Sequence, residues 1–298
     1  MINVGGLELK NPVIAASGTF GFGREFSEYY DLGRLGGISV KGLTLEPRMG
    51  NKTPRICETP SGILNSVGLQ NPGVHEFVRT EIPFLRQYDT KIIANIAGNS
   101  FSDYEQMAEI LNEADVDAIE LNVSCPNVKE GVVFGQEPTL LEKLTRSVKD
   151  RFDKPLFVKL TPNVTSIVDT AKAAEAGGAD GVSLINTLLG MAIDIYKRRP
   201  ILANNTGGLS GPCVKPVAVR MVHEVYRNVN IPVIGMGGIE TGEDAVEFII
   251  AGASCVMVGT ASFVDPLACI KVIDGIEEYM KKANVKDICE LVGCLELN

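Results

Sequence analysis

Residues 118–127, which read AIELNVSCPN, end an apolar run in a cluster of polar side chains. Pro126 cannot donate a ladder hydrogen bond and disfavours helical geometry at Cys125, so we predict that a strand stops here. The asparagines, serine and cysteine then follow a strand end, which is the usual place of active sites in parallel α/β folds. A cysteine in such a place can also be a buried structural residue, and the rest of the chain decides between the two.

Short apolar runs of this kind recur along the chain and are separated by amphipathic segments of helical length. The eight predicted strands are residues 13–16, 38–41, 91–96, 118–122, 156–159, 181–185, 232–236 and 255–258. The predicted helices are residues 103–114, 139–152, 166–176, 212–229, 241–251 and 266–282. Eight alternating units predict one α/β domain over residues 1–298, a (β/α)8 barrel of the TIM type. An open doubly wound sheet is the alternative.

Local signals refine this pattern at the helix ends and in the segments outside it. Thr241 followed by Asp244 is typical of a helix N-cap, Gly252 follows that helix, and Pro266 lies near the first turn of the last one. Residues 2–11 alternate around a Gly-Gly pair and predict an N-terminal hairpin that closes one end of the barrel. We also predict long insertions after strands 2, 4 and 6; residues 42–72 and 187–211 exceed simple connections.

The composition argues against several classes of protein. The 298 residues are 45% hydrophobic and 22% charged, as in ordinary globular proteins, and the net charge of −9 disfavours nucleic acid and anionic membrane as partners. Seven scattered cysteines form neither a disulfide framework nor a metal-site spacing. No signal-peptide pattern opens the sequence, and the charge-free run 248–264 is interrupted by glycine and hydroxyl residues. We therefore expect a cytoplasmic protein without a bound metal.

The predicted strands end in residues that suit a ligand site. The positions at these ends are Ser17 with Gly18 and Thr19, Lys41, Asn95, Asn122, Lys159, Asn186 with Thr187, Gly237 with Gly238, and Gly259 with Thr260. In a parallel barrel they all meet at one mouth. Lysine or asparagine alone can be a solvated terminus or a turn residue, but a buried lysine needs an anion or a partner. The two glycine-containing ends are typical of a barrel phosphate site. The residues thus predict a phosphorylated ligand, either a flavin mononucleotide or a sugar phosphate.

Longer motifs across the whole chain resemble those of the dihydroorotate dehydrogenases. They are residues 11–19 (NPVIAASGT), 41–42 (KG), 65–72 (NSVGLQNP), 122–127 (NVSCPN), 159–163 (KLTPN), 186–187 (NT) and 207–211 (GGLSG). Cysteine at position 125, where the membrane-associated class has serine, is similar to the soluble class 1 enzymes. Residues 58–62 (ETPSG), 128–131 (VKEG) and 134–136 (FGQ) are similar to class 1B. The resemblance implies oxidation of (S)-dihydroorotate to orotate in de novo pyrimidine biosynthesis, with the hydride passing to FMN.

The resemblance also implies a role for each residue at the predicted mouth. Cys125 would be the base that removes the C5 proton, and Lys159 would lie where negative charge builds up on the reduced flavin. Residues expected to bind FMN are Ser17, Lys41, Gly42, Asn95, Asn122, Lys159, Ile185, Gly211, Gly237, Gly238, Gly259 and Thr260. Residues expected to bind the substrate are Lys41, Asn65, Ser66, Val67, Gly68, Leu69, Asn122, Asn127, Asn186 and Thr187. Relatives often carry another apolar residue where this chain has Val67, and we expect little effect.

The route of the electrons after FMN depends on the class of enzyme. The sequence contains neither an iron–sulfur cysteine spacing nor a G-x-G-x-x-G motif. Class 1B resemblance implies a partner subunit that carries FAD and a [2Fe–2S] cluster, NAD+ as final acceptor, and a heterotetramer built on a homodimer of this chain. The alternatives are a fumarate-dependent class 1A homodimer and a flavoprotein similar to dihydropyrimidine dehydrogenase. A non-redox phosphate-binding barrel, which predicts a colourless protein, is a third.

Overall fold

The computed structural model describes residues 1–124 and 134–298. The strands in these ranges are β1 (Ile2–Val4), β2 (Leu7–Leu9), β3 (Val13–Ala15), β4 (Gly37–Ser39), β5 (Ile56–Thr59), β6 (Gly62–Asn65), β7 (Lys91–Ile96), β8 (Ala118–Asn122), β9 (Leu156–Lys159), β10 (Gly181–Leu184), β11 (Leu188–Gly190), β12 (Ile193–Asp194), β13 (Arg199–Pro200), β14 (Gly207–Ser210), β15 (Val233–Met236) and β16 (Cys255–Val258). Eight of them, β3, β4, β7, β8, β9, β10, β15 and β16, are parallel and close into a barrel in that order. The predicted (β/α)8 fold is confirmed.

Helices surround this barrel. They are α1 (Val74–Glu76), α2 (Ile82–Leu85), α3 (Phe101–Asn112), α4 (Pro138–Lys149), α5 (Ile167–Ala176), α6 (Lys215–Tyr226), α7 (Gly242–Ala251), α8 (Ala261–Val264) and α9 (Ala268–Ala283), with a π-helical turn (Phe77–Glu81) between α1 and α2. Within the described ranges, none of the helices is both long and apolar enough to cross a bilayer.

Several predicted boundaries differ from the structure. The strand β4 ends at Ser39, so Lys41 lies two residues beyond it rather than at its last position. The helix α9 begins at Ala268 after the cap residue Leu267, so Pro266 precedes the helix instead of occupying its first turn. No helix was expected at residues 74–85, where Pro83 interrupts the helical pattern but is accommodated in the first turn of α2.

The predicted cap of α7 is confirmed in detail. Thr241 Oγ1 accepts a hydrogen bond from the Asp244 N–H at 3.1 Å, and the Asp244 carboxylate accepts one from the Thr241 N–H at 2.9 Å. This reciprocal pair is a capping box. Gly252, with φ of 125°, ends the helix. Helix α7 therefore starts at a fixed point just after the glycine pair that follows β15.

The N-terminal hairpin is also confirmed. Strands β1 and β2 pair antiparallel through a turn in which Gly5 and Gly6 have φ of 55° and 88°. Such a turn favours glycine at both central positions. A Cβ at Gly5 would lie 2.1 Å from the carbonyl oxygen of Asp180, the residue before β10. The hairpin thus packs against the amino-terminal end of the barrel, opposite the mouth.

The two long insertions described by the structure pair with each other. Strands β5 and β6 come from residues 42–72, and β11 and β14 come from residues 187–211. They form one antiparallel sheet in the order β11, β14, β6, β5, in which Asn65 lies opposite Gly208. We call this the insertion sheet. It adds a second layer at the carboxyl ends of the barrel strands.

Candidate active site

A cavity of about 320 Å³ lies between the carboxyl ends of the barrel strands and the insertion sheet. This volume is within the range of small-molecule sites. The predicted site residues that line it are Ser17, Lys41, Gly42, Asn65, Ser66, Val67, Gly68, Leu69, Asn95, Asn122, Lys159, Ile185, Asn186, Thr187, Gly237, Gly238, Gly259 and Thr260. Gly211 is not in the lining, and Cys125 and Asn127 lie outside the described residues. The structure therefore brings most of the predicted residues to one place.

Other lining residues were not predicted to bind a ligand, although Gly18 and Thr19 were placed at a strand end. They are Ala16, Gly18, Thr19, Ile56, Ile63, Ser210, Met236, Met257 and Phe263. Most are apolar or small, so a search for polar strand ends passes over them. Ser210 contributes a polar contact, since its hydroxyl accepts a hydrogen bond of 2.9 Å from Thr260 Oγ1. The sequence feature that could have identified Ser210 as a site residue is its position in the GGLSG motif.

Lys159, Asn95 and Ser17 form a bonded group at the cavity wall. Lys159 is 5% exposed, and its Nζ donates to Ser17 Oγ at 3.1 Å. The Asn95 carboxamide Nδ2 donates to the same oxygen at 3.2 Å. Because Ser17 Oγ accepts both bonds, the Ser17 hydroxyl proton remains available to a ligand. Three strand ends thus present a cation and a hydroxyl donor to the cavity.

Glu120, which was not predicted as a site residue, lies behind this group and is fully buried. Its Oε2 accepts from Asn95 Nδ2 at 2.6 Å and from Ser39 Oγ at 2.7 Å, and its Oε1 accepts from Ser183 Oγ at 2.7 Å. Lys159 Nζ is 3.9 Å from Oε2. Burial raises the pKa of Glu120, but Lys159 and the three hydrogen bonds outweigh it and hold the pKa below its usual range. The sequence feature that could have identified Glu120 as a site residue is an acidic residue inside an otherwise apolar strand.

Lys41 is a second cation at the cavity and has a different environment. It is partly buried, and none of the described residues accepts a hydrogen bond from it or forms an ion pair with it. Burial, and then repulsion from Lys159 and Arg55, lower its pKa. An ammonium group with three unused donors suits an anionic ligand.

The glycine-containing ends of β15 and β16 form a cradle of backbone N–H groups. The N–H groups of Gly238, Gly259 and Thr260 donate to no described residue. Gly237 and Gly238 have φ of 124° and 81°, which favours glycine. A Cβ at Gly238 would lie 2.8 Å from the carbonyl oxygen of Gly211, so Gly211 supports the cradle from behind. Convergent free N–H groups of this kind suit a phosphate.

Carboxamides connect the ends of β8, β9 and β10. Asn186 Nδ2 donates to Ser124 Oγ at 2.8 Å and to Asn122 Oδ1 at 3.3 Å. Asn163, from the KLTPN motif, donates to the Thr187 carbonyl at 3.0 Å and accepts from the Leu189 N–H at 2.9 Å. The two bonds of Asn163 position the segment that carries Thr187. The mouth therefore offers both amide donors and amide acceptors.

The comparisons with known proteins agree with this site. A family model described as dihydroorotate dehydrogenase matches residues 1–280. The chain belongs to the dihydroorotate dehydrogenase family. It is 63% identical over 295 residues to the dihydroorotate dehydrogenase B (NAD(+)), catalytic subunit, of Alkaliphilus metalliredigens (strain QYMF), covering 99% of this chain and 98% of that protein. The proteins of the same name from Alkaliphilus oremlandii (strain OhILAs) and Thermoanaerobacter pseudethanolicus are 61% and 56% identical, and the alignments cover at least 98% of each chain.

The NSVGLQNP motif, residues 65–72, forms a tight loop at the cavity. Asn51 holds it, since its Nδ2 donates to the Ser66 carbonyl and its N–H to the Val67 carbonyl, both at 2.9 Å. Gly68 and Leu69 both have positive φ, 77° and 55°. Their N–H groups donate to no described residue. The loop thus contributes to the cavity lining two N–H donors that no described residue uses.

Cys125 and Asn127 lie outside the described residues, and the described residues on either side of this segment are held at the mouth. Ser124 accepts the hydrogen bond from Asn186. Gly135 donates its N–H to the Val123 carbonyl at 2.9 Å, which joins the two ends of the segment. Phe134 is fully buried.

Proposed function

We propose that this chain oxidises (S)-dihydroorotate to orotate in de novo pyrimidine biosynthesis, with FMN as its bound cofactor. The observation that carries the proposal is one cavity that combines a phosphate cradle, two lysines and a set of carboxamides. A sugar-phosphate barrel would account for the cradle, but it gives no reason for the lysines and carboxamides beside it. Curated relatives that are 63% and 61% identical to the chain bear the name of this enzyme.

The described residues fit FMN. Asn95 Oδ1 is a buried acceptor that lacks a partner within the described residues, and a flavin pyrimidine edge offers one N–H between two carbonyl groups. Lys159 Nζ and Ser17 Oγ would supply donors beside it, and the N–H groups of Gly238 and Gly259 would bind the phosphate. Bound FMN supplies the hydride acceptor of the reaction. Lys159 would balance the negative charge that reduction adds.

The substrate side of the cavity suits a pyrimidine carboxylate. Lys41, with its unused donors, would bind the carboxylate, together with the N–H groups of Gly68 and Leu69. The residues proposed to pair with the amide groups of the ring are Asn65, Asn122, Asn127, Asn186 and Thr187. Because a carboxamide both donates and accepts, this set can match a ring in which N–H and C=O groups alternate.

We propose Cys125 as the base that removes the C5 proton. A thiol must lose its own proton before it can accept one, so its thiolate is the active form. The positive charge of Lys41 at the same mouth would favour that form. Lys159 is the second residue proposed to act in catalysis, through its charge at the flavin.

The electrons are proposed to reach NAD+ through a partner subunit that carries FAD and a [2Fe–2S] cluster, in a cytoplasmic heterotetramer with a homodimer of this chain at its core. The relatives are named as NAD(+)-linked catalytic subunits, which supports a partner. The second insertion exposes Leu189, Met191, Ile193, Ile195 and Tyr196. Such a concentration of exposed apolar side chains is typical of protein contacts.

The test is an anaerobic titration of the purified chain with dihydroorotate while its visible spectrum is recorded. We expect a yellow protein that bleaches with about one substrate equivalent, and no bleaching with dihydrouracil. NAD+ and fumarate, each tried with and without a partner subunit, then identify the acceptor. A colourless protein that takes up no FMN, or a flavin that stays oxidised, would overturn the proposal.

A further inference from the structure

We propose that Glu120 is a positioning residue that acts on FMN through Lys159 and Asn95. Its carboxylate balances the Lys159 charge and fixes which atom of the Asn95 carboxamide faces the ligand. The inference rests on the proposed binding of FMN, and Glu120 itself does not line the cavity.

The carboxylate is held from four barrel strands at once. Ser39 of β4, Asn95 of β7 and Ser183 of β10 each donate a hydrogen bond of 2.7 Å or less to the side chain, which projects from β8. The Lys159 ammonium of β9 lies at 3.9 Å. A buried charge normally carries a large desolvation penalty unless it is paired and hydrogen-bonded. Here all these donors converge on one ionised group.

The charge of Glu120 determines the orientation of Asn95. The two N–H groups of Asn95 Nδ2 are used by Glu120 Oε2 and by Ser17 Oγ. Exchanging the nitrogen and oxygen of the carboxamide would place Asn95 Oδ1 2.6 Å from a carboxylate oxygen, where the two acceptors would repel. Asn95 Oδ1 therefore faces away, and it has no described partner. An N–H group of the proposed flavin would give this oxygen its missing donor.

Glu120 is also the counter-charge for Lys159. The groups facing Lys159 among the described residues are Glu120, the neutral Ser17 and the like charge of Lys41. No acidic side chain occurs among the described residues that line the cavity. Without the Glu120 carboxylate, two ammonium groups would share the site, and none of the described residues would place a carboxylate beside them.

The first test compares the midpoint potential of bound FMN in wild type, Glu120→Gln and Ser39→Ala. Ser39→Ala is the matched control, because it removes the hydrogen bond from Ser39 to Glu120 Oε2 and keeps the negative charge of the Glu120 carboxylate. At neutral pH the Gln variant, with one net positive charge more, should favour reduced FMN about tenfold, or ~30 mV for two electrons, and the serine variant should match wild type. Equal potentials in all three proteins would overturn the proposal.

The second test does not need the flavin. In FMN-free protein with ¹³C-labelled lysine, the Cε resonance of Lys159, assigned by its loss in Lys159→Arg, reports the charge of Nζ. The resonance should move from its wild-type position in Glu120→Gln and stay in place in Ser39→Ala. An unmoved resonance in the Gln variant would refute the charge balance. A moved resonance in a protein that binds no FMN would sustain it while the proposed function fails.

A further variant covers the case in which Glu120→Gln does not fold. Glu120→Gln combined with Lys159→Met removes both charges of this pair and leaves neither partner as an unpaired ion, so this protein should fold. Recovery of a cooperative melting transition in the double variant supports the pair. Failure of both variants to fold would show that the carboxylate is needed for the fold irrespective of Lys159, and would overturn the proposal.

Discussion

Replacing Lys41 with methionine should stabilise the ligand-free protein although it removes a residue proposed to bind both FMN and substrate. Lys41 is a partly buried cation with no acceptor or counter-charge among the described residues. Lys159, by contrast, has Glu120 at 3.9 Å. Methionine keeps the length and apolar stem of lysine and removes the charge. The folded state would then lose a repulsion that no side chain in the described ranges relieves.

The expected gain follows from the burial of Lys41. A fully buried, unpaired charge costs several kcal/mol, and a partly exposed one costs less, so we expect about 1–2 kcal/mol in the free energy of unfolding. The entropy of unfolding is roughly 2.1 cal/mol/K per residue. For 298 residues, the gain corresponds to a rise of about 2–3 °C in Tm.

The gain should depend on pH in a defined direction. Burial, and then Lys159 and Arg55, lower the pKa of Lys41 in the folded protein. Between this lowered pKa and the ordinary lysine value, the unfolded chain binds more protons than the folded chain, so this group makes stability rise with pH. Below that window the folded state carries the full cost of the charge. The advantage of Lys41→Met should therefore be largest at neutral pH and should decrease as the pH approaches about 10.

Thermal melting of FMN-free wild type, Lys41→Met and Lys172→Met from pH 7 to 10 tests this reasoning. Lys172 is an exposed lysine of α5, and its replacement should change stability by no more than about 0.5 kcal/mol. Orotate should raise the Tm of wild type and fail to raise that of Lys41→Met, because binding stabilises only a chain that keeps its site. A lower Tm for Lys41→Met than for wild type at pH 7, or a gain that is constant with pH, would refute the account.

Three further predictions concern the base, the cradle and the helix cap. Cys125→Ala should retain FMN and lose most turnover at neutral pH, with Cys125→Ser recovering part of it only under alkaline conditions; full activity of the alanine variant would exclude the base assignment. Gly259→Ala should weaken FMN binding at least tenfold by flavin fluorescence without changing Tm, because its Cβ would approach no atom closer than 3.5 Å. Gly238→Ala, with φ of 81° and a contact at 2.8 Å, should lose about 1–3 kcal/mol in chemical unfolding. Thr241→Ala should lose about 1 kcal/mol with unchanged turnover, since only the cap of α7 is removed.

The barrel and its mouth could be predicted because both depend on local signals. Strands buried on both faces appear as continuous apolar runs, and parallel strands end on the same side. Lys41, Asn95 and Lys159 are far apart in sequence, yet their positions at strand ends were enough to predict one cavity. Small boundary errors, such as the end of β4 before Lys41, did not affect this outcome.

Glu120 and the insertion sheet could not be predicted in the same way. Glu120 lies inside a strand, and its pairing with Ser39, Ser183 and Lys159 exists only after the barrel closes. The pairing of β6 with β14 joins segments more than 140 residues apart, which no periodicity reveals. Residues 74–85 were missed because Pro83 is tolerated at a helix start as well as being a helix breaker.

The pairing of the two insertions explains the glycines of the GGLSG motif, of which only Ser210 lines the cavity. A Cβ at Gly208 would lie 2.0 Å from Thr187 Oγ1, and a Cβ at Gly207 would lie 2.7 Å from the Asn65 carbonyl oxygen. Thr187 and Asn65 are proposed substrate residues, one from each insertion. Any side chain at these two glycines would separate them. The glycines therefore act by allowing close approach of the backbones, and they set the distance between the two halves of the substrate side.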